Sequence, residues 1–405
     1  MPANKPPFDG EWVKLKGRVE YVRGVTYKAA VDLHEELDRG SYILLRANNI
    51  QDGRLSFDDV QYVDKSKVKP KQLLRKGDIL ICASSGSKSL VGKAALVEND
   101  MPITFGAFCC VLRPKTGEPE YLGHYFQSWQ YRKAIERVCS GSNINNLKAA
   151  SFESLIVPLY SKSDMLSVVG VLDALVAQKR GTESQLELLD TLVKSRFVEM
   201  FGSLSSGYKY ETRKLGTLLS VNPQNGLYKP QKFYIGEGGV PIVRVDAFQA
   251  GYIESYENLR RLECSESEIE IYSLRENDIV INRVNGSIER VGKIAWIYGL
   301  VEPTVFESNM MRFHVDESRL DLAYITAFLN SSDIREQIKS RARIANQCSI
   351  NQGNVADLDI PLPPLALQQE FAAFVAEVDK SRFVVQQKIE KLQMLYDSLA
   401  QEYFG

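Results

Sequence analysis

Two short segments carry the residue types that could bind a polyanion. Ser84–Lys93 (SSGSKSLVGK) and Arg283–Lys293 (RVNGSIERVGK) each follow an apolar run and mix small residues with cations. Small residues let a backbone approach a phosphate closely. Lys88, Lys93, Arg283, Arg290 and Lys293 could neutralise it, and Arg283 and Asn285 carry donors and acceptors that read base edges. Ser84 opens the first loop. A second pair of segments follows a basic helix. Ser140–Leu147 (SGSNINNL), with Asn143 and Asn145, comes after Arg132, Lys133 and Arg137. Arg341–Ile350 (RARIANQCSI), with Arg341, Arg343, Asn346 and Gln347, comes after Arg335 and Lys339. A basic helix running into an amide-rich loop suits a nucleic-acid edge. Ordinary hairpin and capping loops would account for the same residues; the argument for binding is recurrence, two such elements in each of two places.

Other chemistries are absent. The three histidines, His34, His124 and His314, stand singly, and no pair has metal-ligand spacing, so no metal site is expected. No Gly-x-Ser-x-Gly elbow, methyltransferase loop pair or spaced-carboxylate nuclease pattern is found, so no catalytic residue is assigned. Gly86–Lys93 imitates a phosphate-binding Walker loop. That loop needs four residues between its glycines and Ser or Thr after the lysine; here five intervene and Ala94 follows. A strand–loop–strand turn is the better reading, and no cofactor is expected on this chain.

The loops recur because the chain is duplicated. Leu74–Ala95 and Leu274–Ala295 are identical at 11 of 22 positions. Leu44–Leu55 likewise answers Ile242–Ile253, and Phe201–Gly202 answers Phe404–Gly405, at offsets between 198 and 203. Such a chain offers two similar surfaces, related by a near two-fold axis if the halves pack together. Charge is not duplicated. Residues 1–202 carry 28 Lys+Arg against 24 Asp+Glu, and residues 203–405 carry 22 against 27. Lys65–Lys76 has six basic residues and no acid, while the matching Glu263–Glu276 has five glutamates. That strip is no shared nucleic-acid contact.

The 405 residues suffice for two or three domains. No apolar run approaches the roughly 20 residues that span a bilayer, so no membrane partner is expected. The first residues lack an apolar signal core. The six cysteines form no Cys-x-x-Cys pair, which reads as an intracellular, cytoplasmic protein.

Residues ~12–158 and ~210–361 read as α/β (α+β) globular parts, each with a late helix, Tyr121–Arg137 and Tyr324–Ser340. Residues ~162–202 and ~365–405 read as long helices. In the second, Phe371, Val375, Val378, Arg382, Val385, Ile389, Leu392, Tyr396, Leu399 and Tyr403 alternate spacings of four and three. The first repeats the stripe through Leu172, Leu175, Lys179, Leu186, Leu189 and Val193. Sustained spacing of this kind is a seam for another helix. At about 1.5 Å per residue, roughly 36 residues make a rod of roughly 54 Å, too long for one small domain to cover. The expected fold is therefore two α/β copies separated by two antiparallel helices forming a coiled coil. The domains are 1–158, 159–205, 206–361 and 362–405. Gly170 and Gly181 weaken the first helix by about 1 kcal/mol each, and a bend or fraying is expected near Gly181.

This layout resembles the DNA-specificity subunit of type I restriction–modification systems. Tyr324-Ile-x-x-Phe328-Leu-Asn-Ser331, Leu358-x-Ile-Pro-Leu-Pro-Pro-Leu365 with Gln368-Gln369, and Leu74-Arg-x-Gly-Asp-Ile79 with Leu274-Arg-x-x-Asp-Ile279 carry the resemblance. Half one keeps only Pro158-Leu159 of the proline-rich run. The resemblance covers essentially the whole chain. It implies a non-catalytic, prokaryotic subunit with two target-recognition domains, each reading half of a split site in double-stranded DNA. It implies that the helices space these domains and dock two methyltransferase (modification) subunits, and that restriction/translocase subunits join. S-adenosylmethionine, ATP and Mg²⁺ are then expected on the partners. A specificity chain for a fused restriction–methyltransferase, and a protein-interaction scaffold without DNA, stay open as alternatives.

Overall fold

Ile79–Cys82 shows how each half is built. All four residues are buried, and successive side chains meet different neighbours. Ile79 and Ile81 pack with Tyr121, Phe152 and Leu172; Leu80 and Cys82 pack with Leu45, Ile103 and Phe105. A strand covered on both faces is apolar throughout rather than alternating. Its counterpart Ile279–Asn282 repeats this, with Ile279 and Ile281 against Tyr324 and Phe328 and Val280 against Val243 and Phe306.

The computed structural model describes residues 9–87, 89–115, 119–140, 146–247, 251, 253 and 255–405. The chain divides into two units, Met1–Glu183 with Gln386–Gly405, and Ser184–Val385. The division passes through both long helices, so each unit owns a stretch of each.

In the first unit, Val19–Arg23, Cys109–Pro114, Ile79–Cys82 and Ala94–Leu96 form an antiparallel sheet in that order. A second sheet orders Ile103–Phe105, Ser41–Leu45, Gln61–Asp64 and Leu33–His34, its first pair parallel. The second unit matches it. Leu219–Asn225, Met310–Val315, Ile279–Asn282 and Ile294–Trp296 make the antiparallel sheet. Tyr234–Ile235, Arg260–Leu262, Val240–Val243 and Val305–Phe306 make the other, its last pair parallel. In each unit a strand near the start pairs with the strand before a long helix: Glu11–Lys14 with Ile156–Leu159, and Thr212–Lys214 with Asp359–Pro361. The fold is thus the expected α/β (α+β) unit, twice.

The long helices run unbroken over Lys162–Phe201 and Leu365–Phe404, 40 residues each. Every seam residue is buried or half-buried: Leu172, Leu175, Leu186, Leu189, Val193, Val378, Val385, Ile389, Leu392 and Leu399. Pairing is antiparallel within each unit. In the first, Lys179 Nζ donates to Gln393 Oε1 at 2.7 Å, and Leu172 shares a cluster with Ala400. In the second, Arg382 meets Asp190 at 2.6 Å and Arg196 meets Glu370 at 3.2 Å.

Two expectations are corrected. The first long helix does not fray near Gly181: it stays helical through that residue, with Thr182 beside it buried in the seam, and the packed stripe outweighs a propensity cost of about 1 kcal/mol. The late helices are each two. Pro119–Tyr125 is followed by Trp129–Ser140, and Leu322–Leu329 by Ser332–Arg341. A serine ends the first and starts the second. Ser128 Oγ donates to the Tyr125 carbonyl at 2.7 Å and accepts from the Tyr131 amide at 3.3 Å, and Ser331 caps the Ile334 amide. Such local bonds compete with the helical ladder.

Candidate nucleic-acid interface

Both polar loops close antiparallel hairpins. Ser84–Lys93 lies between Ile79–Cys82 and Ala94–Leu96; Arg283–Lys293 lies between Ile279–Asn282 and Ile294–Trp296. The Walker-like glycines therefore serve a turn. Gly92 and Gly292 adopt φ of +84° and +82°, and a Cβ there would come within 2.8 Å of Ile135 and 2.2 Å of Ile338. Only glycine lets the loop lie flat on the helix behind it.

That helix fixes the loop. Arg132 donates from Nη1 to the Val91 carbonyl at 2.8 Å and from Nη2 to the Ser89 carbonyl at 2.7 Å. Arg335, 203 residues on, clamps the carbonyls of Val291 and Glu289 in the same way. Arg132 is thus engaged with loop backbone while its side chain stays part-exposed.

The amide-rich segments, remote in sequence, are brought against these loops. In the first unit the Leu147 amide donates to the Ala83 carbonyl at 2.8 Å, and Ser84 bridges Asn146. In the second, the Ile350 amide donates to the Arg283 carbonyl at 2.9 Å. There the contact grows into a three-stranded sheet of Val284–Asn285, Cys348–Ser349 and Arg343–Ile344. Each unit therefore joins its two candidate segments along one edge.

The charges along these edges differ in how free they are. Lys93, Lys133, Arg290, Lys293, Arg343, Asn346 and Gln347 are exposed. Lys133 sits 4.3 Å over the ring of Trp129. Ser84, Arg283 and Asn285 are half-buried; Arg283 Nη1 donates to the Ser308 carbonyl at 3.0 Å, and Asn285 Oδ1 accepts from the Ser287 amide at 3.3 Å. Lys339 is paired with Glu289 at 2.8 Å, and Arg341 with Asp357 and Asp359 at 3.4 Å. The Lys339 ammonium holds the Glu289 carboxyl below the usual glutamate range. Lys88, Asn143 and Asn145 lie outside the described residues.

The basic strip is not mirrored. Lys65–Lys67 and Pro70–Gln72 form short turns in the first unit, and Lys67 pairs with Asp32 at 3.0 Å. The second unit has the acidic helix Glu266–Tyr272 in the matching stretch. All three histidines have carboxylate neighbours: His34 with Asp38, His124 with Asp173, His314 with Asp278. Among the described residues, no group of three or more His, Cys, Asp or Glu could hold a metal ion, and no helix is long and apolar enough to cross a membrane.

Sequence reasoning missed the exposed aromatics near these edges, Phe108, Trp129 and Tyr228. Single exposed rings leave no periodic trace. Phe108 and Tyr228 each follow a glycine by two residues, Gly106 and Gly226, and Trp129 opens a helix.

The family described as "Type I restriction modification DNA specificity domain" matches this chain twice, at residues 9–186 and 208–394. The specificity subunit of type I restriction enzyme StySPI from Salmonella potsdam is 32% identical over 396 residues, covering 94% of this chain and 84% of the relative. That of EcoKI from Escherichia coli is 30% identical over 420 residues, covering 99% and 89%. A chain solved in work on complex assembly and conformational transition of the type I R-M system aligns with a TM-score of 0.55. It is 15% identical over 98% of both chains, a likeness of fold.

Proposed function

This chain belongs to the family of type I restriction–modification DNA specificity subunits, and from that premise we propose that each unit reads one half of a bipartite site in double-stranded DNA. A specificity subunit is a recognition component and not itself an enzyme. One observation carries the half-site reading. The same pair of loops is assembled twice on a repeated framework, yet the side chains along the two edges differ. Equal scaffolds with unequal edges suit two different half-sequences.

Lys93 and Lys133 in the first unit, and Arg290, Lys293 and Arg343 in the second, meet phosphates; Asn285, Asn346 and Gln347 face base edges. The helix pair sets the unread gap. Its heptad seam and its unbroken course through both units support a stiff spacer. The same helices dock two methyltransferase subunits. Leu188, Leu192, Phe383 and Val384 on the helix stretches of the second unit, and Met394 and Leu395 on those of the first, are exposed apolar residues suited to partners. Restriction/translocase subunits complete the assembly, and S-adenosylmethionine, ATP and Mg²⁺ act on those partners.

The test is exchange. Methylated bases are mapped genome-wide in a host carrying this chain and its methyltransferase. Residues 1–158 are then replaced by the equivalent part of a relative with a different site. One half of the methylated motif should change and the other half and the gap should stay. A motif altered in both halves, or in neither, would refute independent half-site reading.

A further inference from the structure

A third element joins the candidate edge in both units, and its side chains have been exchanged between the copies. In the first unit the turn Gly106–Cys109 closes with the Cys109 amide donating to the Gly106 carbonyl at 2.8 Å. The Phe108 carbonyl accepts from the amides of Ala83 at 2.9 Å and Ser84 at 3.0 Å, which open the candidate loop. In the second unit the turn Glu307–Met310 is built alike, and the Asn309 carbonyl accepts from Arg283 at 2.8 Å and Val284 at 3.3 Å. A neighbouring strand end lies against each turn. Val25 bridges Gly106, and Leu227 bridges Glu307. A Cβ on Gly24 or Gly226 would come within 2.1 Å or 2.3 Å of the turn's carbonyl oxygen, so both copies need glycine to bring the strand this close.

Two exposed side chains stand at this corner in each unit. The first unit has Phe108 on the turn and Thr26 just beyond the strand Val19–Arg23; the second has Asn309 on the turn and Tyr228 just beyond the strand Leu219–Asn225. Each corner thus shows one aromatic and one polar side chain, in swapped positions. The rings are bare: Phe108 is 70% exposed and Tyr228 is 77% exposed. A lone exposed apolar residue is ordinary on a protein surface. Two features set these apart. The backbone of Phe108 is pinned by two hydrogen bonds while its ring faces solvent, and both units put their ring beside the same candidate loop.

We propose that Phe108 and Tyr228 are base-contacting rings, each stacking on or wedging between bases of the half-site its unit reads. Bases offer π-faces whatever their sequence, and an apolar ring can also meet a thymine methyl or open a flexible step. Moving the ring from turn to strand end shifts which step it meets, and so diversifies specificity without altering the framework. This rests on the half-site reading above.

The experiment uses the full chain assembled with its methyltransferase, and duplexes carrying the mapped motif intact or with either half scrambled. Phe108→Ala should bind the intact duplex roughly 5- to 150-fold more weakly, the range for losing a base-stacking ring. Scrambling the first unit's half should cost this variant much less than it costs the unaltered complex. Tyr228→Ala should do the same for the other half. Phe108→Trp, which keeps a ring, should retain most of the affinity. If both alanine variants bind within twofold of the unaltered protein, the rings do not touch bases, while half-site reading stands. If an alanine variant loses its methyltransferase without DNA, the ring is a protein contact and the proposal is overturned. If the unaltered complex has no bipartite motif, the half-site reading falls and the rings' assignment with it.

Discussion

Arg132 lays two guanidinium donors on one loop, reaching the Val91 carbonyl at 2.8 Å and the Ser89 carbonyl at 2.7 Å. Val91 is buried, so its carbonyl has little access to water once the arginine is removed. Arg132→Ala should therefore destabilise the loop by about 1–3 kcal/mol, the cost of orphaned acceptors. Lysine should not restore it, because one ammonium cannot span both carbonyls as the planar fork does. Hydrogen exchange checks this. Amides from 83 to 93 should exchange at least about tenfold faster, since 1.4 kcal/mol is a factor of about ten, while those from 283 to 293 keep their rates. Arg335→Ala should give the mirror result.

Glu289 draws two cations of the second unit's edge toward itself, Lys339 at 2.8 Å and Arg335 at 3.7 Å. Glu289→Gln should release the Lys339 charge for a phosphate. The assembled complex should then bind duplex more tightly at low salt, with a slope of log K against log salt steeper by about one. An unchanged slope would mean Lys339 lies off the DNA path. The pH behaviour follows from the lowered carboxyl pKa. The pair is intact at neutral pH, persists through the ordinary glutamate range, and is lost only as pH falls through the depressed value. Mild acidification should therefore not mimic the substitution.

His124 is buried and bridges two partners, with Nδ1 2.9 Å from the Tyr396 hydroxyl and Nε2 3.0 Å from Asp173 Oδ1. The equivalent positions of the second unit hold Ala327, Val193 and Ala376, so one copy solved this contact with apolar residues. His124→Ala leaves the buried Tyr396 hydroxyl without its partner and should cost about 1–3 kcal/mol. Adding Tyr396→Phe removes that orphan. The double variant should be less destabilised than the sum of the single ones, by about 0.5–3 kcal/mol. Additive losses in denaturant unfolding would show that the histidine and tyrosine are not coupled.

The long helices were legible to within a residue or so at each end. Ten seam positions at spacings of four and three leave one solution, and Lys162–Phe201 and Leu365–Phe404 follow it. What failed there was a local rule, fraying at Gly181, which the seam overrode. The late helices failed in the opposite direction. Their apolar pattern reads straight through Ser128 and Ser331, and only the side-chain hydrogen bonds of those serines reveal the break. Sheet order was not legible, because Ile103–Phe105 pairs in parallel with Ile43–Leu45 across some sixty residues, a contact set by the tertiary core. The loops were found through repetition. That Leu147 would meet Ala83, or Phe108 would share the corner, follows from packing that no single segment encodes.

The spacer role proposed for the helices gives the sharpest prediction. Within the first unit Lys179 faces Gln393, and within the second Asp190 faces Arg382. A heptad added to one helix alone would throw one of these pairings out of register. Heptads are therefore inserted in both, one between Lys179 and Asp190 and one between Arg382 and Gln393, each keeping the spacing of three and four. Seven residues lengthen a helix by about 10 Å, or about three base pairs at roughly 3.4 Å each. The methylated motif should keep both half-sequences and widen its unread gap by about that amount. Sequencing of methylated bases reads this directly. A gap that stays at its original length, in a complex that still methylates, would mean that the paired helices do not measure the site.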